Sequence, residues 1–243
     1  MINPSYDLKW NGIPILSKIQ IDELGEQFVN DFCPSAMQEP CEIDVDRFIT
    51  NYLGMQLDYN YLSHNAVYLG MTVFGDTVIP VYNPHKQEAE YTPAKAGTIV
   101  IDHSLLAPRQ LHRYRYTAGH EAGHGVLHAL YFNQRLQANQ DSAAMVQCRI
   151  SGAFDTNFAT PPEYWGSLEW MEWQANCFSS ALLMPRAMVI QLMASLPQMA
   201  LPVRRRAQAV AAMTQTFNIS AEAAIFRLKD LRLLPELASL DID

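Results

Sequence analysis

Residues 116–128 read YTAGHEAGHGVLH, and this stretch carries two histidines four positions apart, His120 and His124. On an α-helix, positions i and i+4 differ by about 40° in direction and about 6 Å in rise, so both imidazoles lie on one face and can share one metal ion. Glu121 lies about 100° to the side of that face, where its carboxylate can reach a water molecule without displacing a ligand. The pattern predicts a helix with two metal ligands and a general base. The alternative is a helix whose histidines are satisfied by carbonyls and whose glutamate is solvated.

A second helix, predicted from about Leu168 to Leu183, carries acidic residues that can complete such a site. Catalytic zinc takes three protein ligands and leaves one position open. Glu172 is the predicted third ligand, and Glu169, one turn earlier, is its rival. Asn176 shares the helical face of Glu172 and can accept a hydrogen bond from the outer nitrogen of a ligating histidine, which fixes the histidine tautomer. The alternative is that these carboxylates form a solvent-exposed face.

The regions around these two helices predict a mixed fold. Between Met55 and Asp102, β-branched and aromatic runs are interrupted by turn residues, which predicts a small sheet with strands within 66–74, 77–82 and 97–102. Apolar periodicity and caps predict helices over 17–32, 44–52, 108–131, 168–183, 186–193, 204–217 and 221–231. The polar stretch 133–162 is predicted to be an irregular connection with at most a little local structure. A sheet in the first half followed by helices is typical of the α+β class.

The length of 243 residues is that of one large or two small domains. We predict an N-terminal helical extension over 1–43, a core over 44–200 and a C-terminal helical subdomain over 201–243. Within this subdomain, Arg204–Arg206 and the later segment 217–229 are similar to a helix-turn-helix. Three arginines are a small positive patch on a chain of net charge −8, so these helices are predicted to pack on the core.

Composition narrows the class of protein and its partners. The chain is 49% hydrophobic and 17% charged, which excludes intrinsic disorder. Its net charge of −8 repels phosphate backbones and anionic lipid, so nucleic acid is disfavoured as a partner and no membrane contact is expected. The four cysteines match neither a metal-ligand spacing nor a disulfide framework, and the first ten residues lack the basic start and apolar run of a signal peptide. These features predict a cytoplasmic protein with reduced thiols.

Residues 116–128, followed by EWQANCFSSALLMP over 172–185, resemble the ImmA/IrrE family of zinc metallopeptidases. Known members are intracellular relatives of the thermolysin-like group, and they act on repressor-type transcription factors of mobile elements or in stress and DNA-damage responses. The resemblance covers roughly Asp44 to Leu234 in element order. It implies a zincin-like core in which His120, His124 and Glu172 bind one zinc ion per chain and Glu121 is the general base.

The resemblance also implies a protein substrate, such as a helix-turn-helix repressor. Three positions depart from the pattern: Gly119 stands where the family more often has alanine, Tyr116 where phenylalanine is common, and Asn176 where thermolysin-like relatives have aspartate. None of these departures removes a ligand.

The sequence therefore predicts a zinc-dependent endopeptidase that cleaves an intracellular protein. Two alternatives remain open. One is a regulatory module with a structural or sensory metal site that binds a transcription factor or DNA. The other is a non-proteolytic metallohydrolase, because two histidines and one carboxylate activate water for more than peptides. The same nitrogen and oxygen ligands also accept Mn²⁺ or Fe²⁺.

Four further features are less specific, and structural roles compete with functional ones for most of them. His128 is expected to be packed or to support a ligand rather than to be a fourth ligand, and Tyr116 is either a core tyrosine or a donor to an oxyanion. Gly123 is expected where another backbone comes close to the ligand helix. The strand at 97–102 is either an edge strand that pairs with an extended substrate, as the resemblance suggests, or purely structural.

Overall fold

The structure is a computed structural model that describes residues 2, 4–138, 144–149, 161–197 and 202–234. Its helices are α1 (Lys18–Phe32), α2 (Val45–Arg47, which continues into a π-helical turn, Phe48–Tyr52), α3 (Leu111–Leu127), α4 (Ala129–Gln137), α5 (Ser167–Leu183), α6 (Arg186–Ser195), α7 (Pro202–Phe217) and α8 (Ala221–Asp230). Short 3₁₀ turns lie at Pro34–Met37, His103–Leu106, Pro108–Gln110 and Pro162–Tyr164.

The strands are β1 (Gln56–Asn60), β2 (Tyr68–Val73), β3 (Thr77–Asn83), β4 (Glu88–Ala94), β5 (Thr98–Asp102) and β6 (Met145–Arg149). Four of them form a sheet in the order β1-β5-β2-β6, and β3 pairs with β4 in a separate two-stranded sheet. β1 runs parallel to β5, whereas β2 is antiparallel to both β5 and β6. The predicted combination of a small sheet with several helices is confirmed.

The structure contradicts one detail of the prediction and resolves two points that the sequence left open. The helix predicted over 108–131 is two helices, because α3 ends before His128 and α4 continues to Gln137. The stretch 133–162 contains β6 as well as the end of α4. β5 is an interior strand with all five residues buried, so it is not an edge at which a substrate could pair. Its unbroken apolar run is typical of a strand that is buried on both faces.

The core places α3 between the sheet and α5. α3 contacts β2 and β5 on one side and α5 on the other. α1 packs on α5 so closely that a Cβ atom on Gly25 would lie 2.6 Å from the Cβ atom of Ala181. Phe28 of α1 and Phe178 of α5 belong to the same buried cluster, with their rings 5.6 Å apart. The N-terminal helix is therefore part of the surface that supports α5, while the predicted boundary at residue 43 stays a prediction.

The last two described helices, α7 and α8, dock on this core. This agrees with the prediction that they pack on the rest of the protein. The buried Arg115 of α3 donates hydrogen bonds to the backbone oxygens of Phe217 and Asn218, in the turn that joins α7 to α8. The buried Arg227 of α8 pairs with Asp22 of α1 at 2.6 Å. Within the described ranges no single helix is long and apolar enough to cross a membrane, and only the bent pair α5 and α6 reaches that length and composition together.

Candidate metal centre

α3 presents His120 and His124 to α5 from one face, as their spacing predicts. Both side chains are buried, and their Nε2 atoms lie 3.0 Å apart. Two ring nitrogens at this distance converge on one point rather than on separate partners. The ligand pair predicted from the sequence is thus brought together.

Glu172 of α5 completes this convergence. Its Oε2 atom lies 3.4 Å from His120 Nε2, and its Oε1 atom lies 3.3 Å from His124 Nε2. In a tetrahedral zinc site with bonds of about 2.1 Å, ligand atoms are about 3.4 Å apart. The three separations therefore fit one small cation. The Glu172 side chain keeps 27% of its surface exposed, whereas the side chains of His120 and His124 are buried.

Glu169, the rival ligand, lies outside this group. Its Oε2 atom is close to Gly166 at the start of α5, where a Cβ atom would come within 3.0 Å of it. The structure therefore favours Glu172 as the third ligand.

The close approach of α3 and α5 sets the distance between the histidines and Glu172. A Cβ atom on Gly123 would lie 3.1 Å from Cα and 3.2 Å from the backbone oxygen of Ala175, so the predicted backbone approach is confirmed. At Gly119 a Cβ atom would lie 2.6 Å from Oγ of Ser179, which donates a hydrogen bond to the backbone oxygen of Tyr116. A larger residue at position 119 would therefore meet Ser179.

Glu121 points from α3 toward the sheet and is fully buried. Its Oε2 atom accepts a hydrogen bond of 2.6 Å from Thr72 Oγ1 on β2, while Oε1 has no hydrogen-bond partner among the described residues. Burial raises the pKa of the Glu121 carboxyl to about 7, against the opposing effects of His120 and the Thr72 hydrogen bond. A carboxyl with such a pKa can take up and release a proton near neutral pH.

The sequence analysis missed two residues of β2 that hold Glu121. They are Thr72, which donates the hydrogen bond, and Gly70, where a Cβ atom would lie 2.5 Å from Glu121 Oε1. A glycine inside a strand often marks a close approach, and that was the available signal. The two residues are two positions apart and so face the same side of the strand.

A second set of hydrogen bonds holds His120 and His124 through their Nδ1 atoms, the ring nitrogens that face away from the metal position. Asn176 Oδ1 lies 2.9 Å from His120 Nδ1, which confirms the predicted contact. His128 is a supporting residue, as expected, because its Nδ1 atom lies 2.9 Å from His124 Nδ1 and its Nε2 atom lies 3.0 Å from Gln174 Oε1. Gln174 was not identified from the sequence.

Burial favours the neutral form of His124 and His128. It lowers the pKa of His124, and it lowers the pKa of His128 well below the usual value. Burial also raises the pKa of Glu172, but hydrogen bonds and charge from His120 and His124 outweigh this effect, so the pKa lies below its ordinary range. These directions favour a neutral His124 and an ionised Glu172, which are the forms that bind a metal.

Tyr116 serves the core, whereas two further histidines, His64 and His103, are exposed. The buried Tyr116 hydroxyl donates a hydrogen bond of 3.2 Å to the backbone oxygen of Asn176, which supports the core tyrosine of the two predicted roles. His64 and His103 contact the rings of Tyr82 and Tyr61 and lie outside the metal-binding group.

The three tryptophans near Glu172, namely Trp165, Trp170 and Trp173, pack on one another with ring centres 5.0 to 6.3 Å apart.

No protein-family model matches this chain, and the comparison with curated proteins gives no match.

Proposed function

We propose that this protein is a zinc-dependent endopeptidase with a zincin-like core that cleaves an intracellular protein. One observation carries the proposal. His120, His124 and Glu172 bring two ring nitrogens and a carboxylate together at the spacing of a tetrahedral site, and the buried carboxyl of Glu121 is near enough for the charges of His120 and Glu172 to affect its pKa.

The donor set fits zinc by its chemistry. Two imidazoles and one carboxylate are the ligands of the thermolysin type of catalytic zinc, and three protein ligands leave the fourth position open. The partial exposure of Glu172 gives a substrate a route to that position. Mn²⁺ and Fe²⁺ accept the same donors. Zinc is proposed because the ligand set occurs together with the HExxH pattern.

When bound, zinc supplies Lewis acidity that polarises a peptide carbonyl and lowers the pKa of water. Glu121 then acts as the general base through Oε1, the oxygen that Thr72 leaves available, and passes the proton to the leaving amine. Gly70 provides the space for this carboxylate, and Thr72 holds its other oxygen.

The resemblance to the ImmA/IrrE family supports a protein substrate, and a repressor-type regulator is the first candidate. The negative net charge gives no support to direct binding of nucleic acid. The substrate is therefore proposed to be recognised as a polypeptide.

The test compares the zinc-loaded protein with its Glu121→Gln variant. Both are incubated with repressors encoded near the gene and with a library of proteome-derived peptides, and cut sites are mapped by mass spectrometry. We expect defined cuts by the parent and none by the variant. A parent that cuts nothing in either set, or a variant that makes the same cuts, contradicts the proposal. Turnover confined to a panel of small esters and amides would instead identify a non-proteolytic hydrolase.

A further inference from the structure

We propose that His128, Gln174 and the backbone carbonyl of Pro14 form a positioning chain that fixes which nitrogen of His124 faces the metal. The chain runs from the N-terminal segment through α5 to α3. This inference rests on the metal centre of the proposed function, and it does not require that the reaction be proteolysis.

The direction of the chain is set at its outer end. A backbone carbonyl can only accept a hydrogen bond, so Gln174 must place its amide nitrogen toward Pro14, where the N to O distance is 2.8 Å. The amide oxygen of Gln174 then faces His128 Nε2 at 3.0 Å. Because this oxygen can only accept, His128 must carry its proton on Nε2.

The same reasoning extends to the metal ligand. A neutral imidazole with its proton on Nε2 has an acceptor at Nδ1. His128 Nδ1 lies 2.9 Å from His124 Nδ1, so His124 must donate from Nδ1. Its lone pair is then on Nε2, the atom that lies 3.0 Å from His120 Nε2 and 3.3 Å from Glu172. The carbonyl of Pro14 thus determines the tautomer of a ligand three residues away along the chain of hydrogen bonds.

Burial makes this arrangement stable against exchange with water. His124 and His128 are fully buried and Gln174 is 1% exposed, so solvent cannot replace a lost hydrogen bond at low cost. His120 has a different outer partner, Asn176, so the two histidines are oriented independently.

Pro14 is held in place by an N-terminal hairpin, residues 7–15. Lys9 donates a backbone hydrogen bond to Ile13, and Ile15 donates one to Asp7, both at 2.8 Å. The hairpin is also tied to the start of α5 by Asn11, whose Nδ2 atom lies 3.1 Å from Ser167 Oγ. This second tie is separate from the positioning chain and provides a matched control.

The test measures zinc affinity by competition with a chromogenic chelator, with no substrate present. Gln174→Met keeps the side-chain volume but removes both the donor and the acceptor, and we expect zinc affinity to fall about 10- to 100-fold. Gln174→Glu keeps an acceptor oxygen for His128 but places a second acceptor against the Pro14 carbonyl, so its affinity should also fall below that of the parent. Ser167→Ala cuts only the second tie and should stay within about twofold of the parent.

The outcomes separate this inference from the proposed function. A Gln174→Met protein that melts like the parent and binds zinc equally well overturns the positioning chain and leaves the metal centre standing. A parent that takes up no zinc overturns both. Imidazole ¹⁵N shifts of the zinc-loaded parent test the chain without any variant: we expect the proton on Nδ1 of His124 and on Nε2 of His128, and the reverse assignment for His128 overturns the inference.

Discussion

At the scale of single residues, the surroundings of Glu121 are unlike those of a solvated carboxylate. It is fully buried, one of its oxygens is held by Thr72, and the pKa is raised to about 7 by burial. These features suit a base that works on a water molecule beside the metal rather than a ligand of the metal. Removal of its proton-transfer capacity should therefore leave metal binding intact.

We expect Glu121→Gln to bind one zinc ion per chain and to lose hydrolysis by about 10²- to 10⁴-fold, the usual contribution of general acid-base catalysis. His124→Ala should lose both zinc and activity. Zinc content is measured by elemental analysis after gel filtration, and activity on the cleaved substrate. A Glu121→Gln protein that keeps the parental rate would exclude the assigned role of this carboxyl.

Gly70 lies against the Glu121 carboxylate and leaves no room there for a larger side chain. A Cβ atom there would lie 2.5 Å from Glu121 Oε1 and 2.8 Å from Thr117 Cγ2, so alanine must displace the carboxylate. We expect Gly70→Ala to retain zinc and to lose at least about tenfold in rate.

Gly75→Ala is the control for Gly70→Ala, because a Cβ atom at position 75 would meet the end of the flexible Leu136 side chain. Equal activity of Gly70→Ala and Gly75→Ala would show that the position of the Glu121 carboxylate does not depend on the glycine.

Residue patterns in the sequence predicted part of this site. His120 and His124 could be found because they are four positions apart on one helix. Glu172 and Asn176 could be found because they have the same spacing on a second helix. Gly70, Thr72 and Gln174 could not be found in this way. Their roles depend on which strand lies over α3 and on where the N-terminal hairpin docks, and no local pattern encodes those contacts.

At the scale of elements, the centre exists because α3 and α5 approach closely. Their contact at Gly123 is backbone to backbone, so no side-chain movement can make room for a methyl group. The separation of the two helices also fixes the distance from Glu172 to the histidines. A change at this contact should therefore affect both stability and metal binding.

We expect Gly123→Ala to lower the free energy of unfolding by about 1 to 3 kcal/mol and to weaken zinc binding, because overpacking pushes α5 away from α3. Gly125→Ala on the same helix should cost less, since its Cβ atom would meet only Sδ and Cε of Met55. Urea unfolding and chelator competition provide the two measurements. If Gly123→Ala binds zinc as tightly as Gly125→Ala, the helix spacing does not control the site.

The helices were predicted better than the strands. The predicted bounds of α1, α5 and α8 agree with the observed ones to within one residue. β6 was missed because it is short and lies within a polar stretch, so only its pairing with β2 defines it. The position of β5 inside the sheet depends on a parallel crossover from β1, which a local pattern does not specify.

At the scale of the whole molecule, α5 lies at the centre of the fold. It contacts α3 at the metal centre and α1 on another face. Cys177 of α5 is buried in the main core, near the ion pair between Lys18 of α1 and Asp230 of α8. Its protonation is therefore linked to the folding of the whole chain.

The stability of the protein should fall in alkaline solution through Cys177. Burial raises the pKa of this thiol from 9.0 to about 12. Above pH 9 the unfolded chain loses the proton while the folded chain keeps it, so the contribution is complete below pH 9 and is lost as the pH rises to about 12. Within that window the loss is about 1.4 kcal/mol per pH unit.

We expect the free energy of unfolding of the parent, relative to that of Cys177→Ser, to be lower at pH 10 than at pH 8. Urea unfolding at the two pH values measures this difference. A difference that does not change with pH would show that the thiol is not protected by burial.

The central claim is that His120, His124 and Glu172 hold a single divalent cation. The most direct measurement is anomalous diffraction at the zinc absorption edge from crystals of the zinc-loaded protein. The account predicts one peak about 2.0 to 2.2 Å from Nε2 of His120, Nε2 of His124 and a carboxylate oxygen of Glu172. A zinc peak on other side chains, or zinc-loaded crystals without a peak between these three, would contradict it.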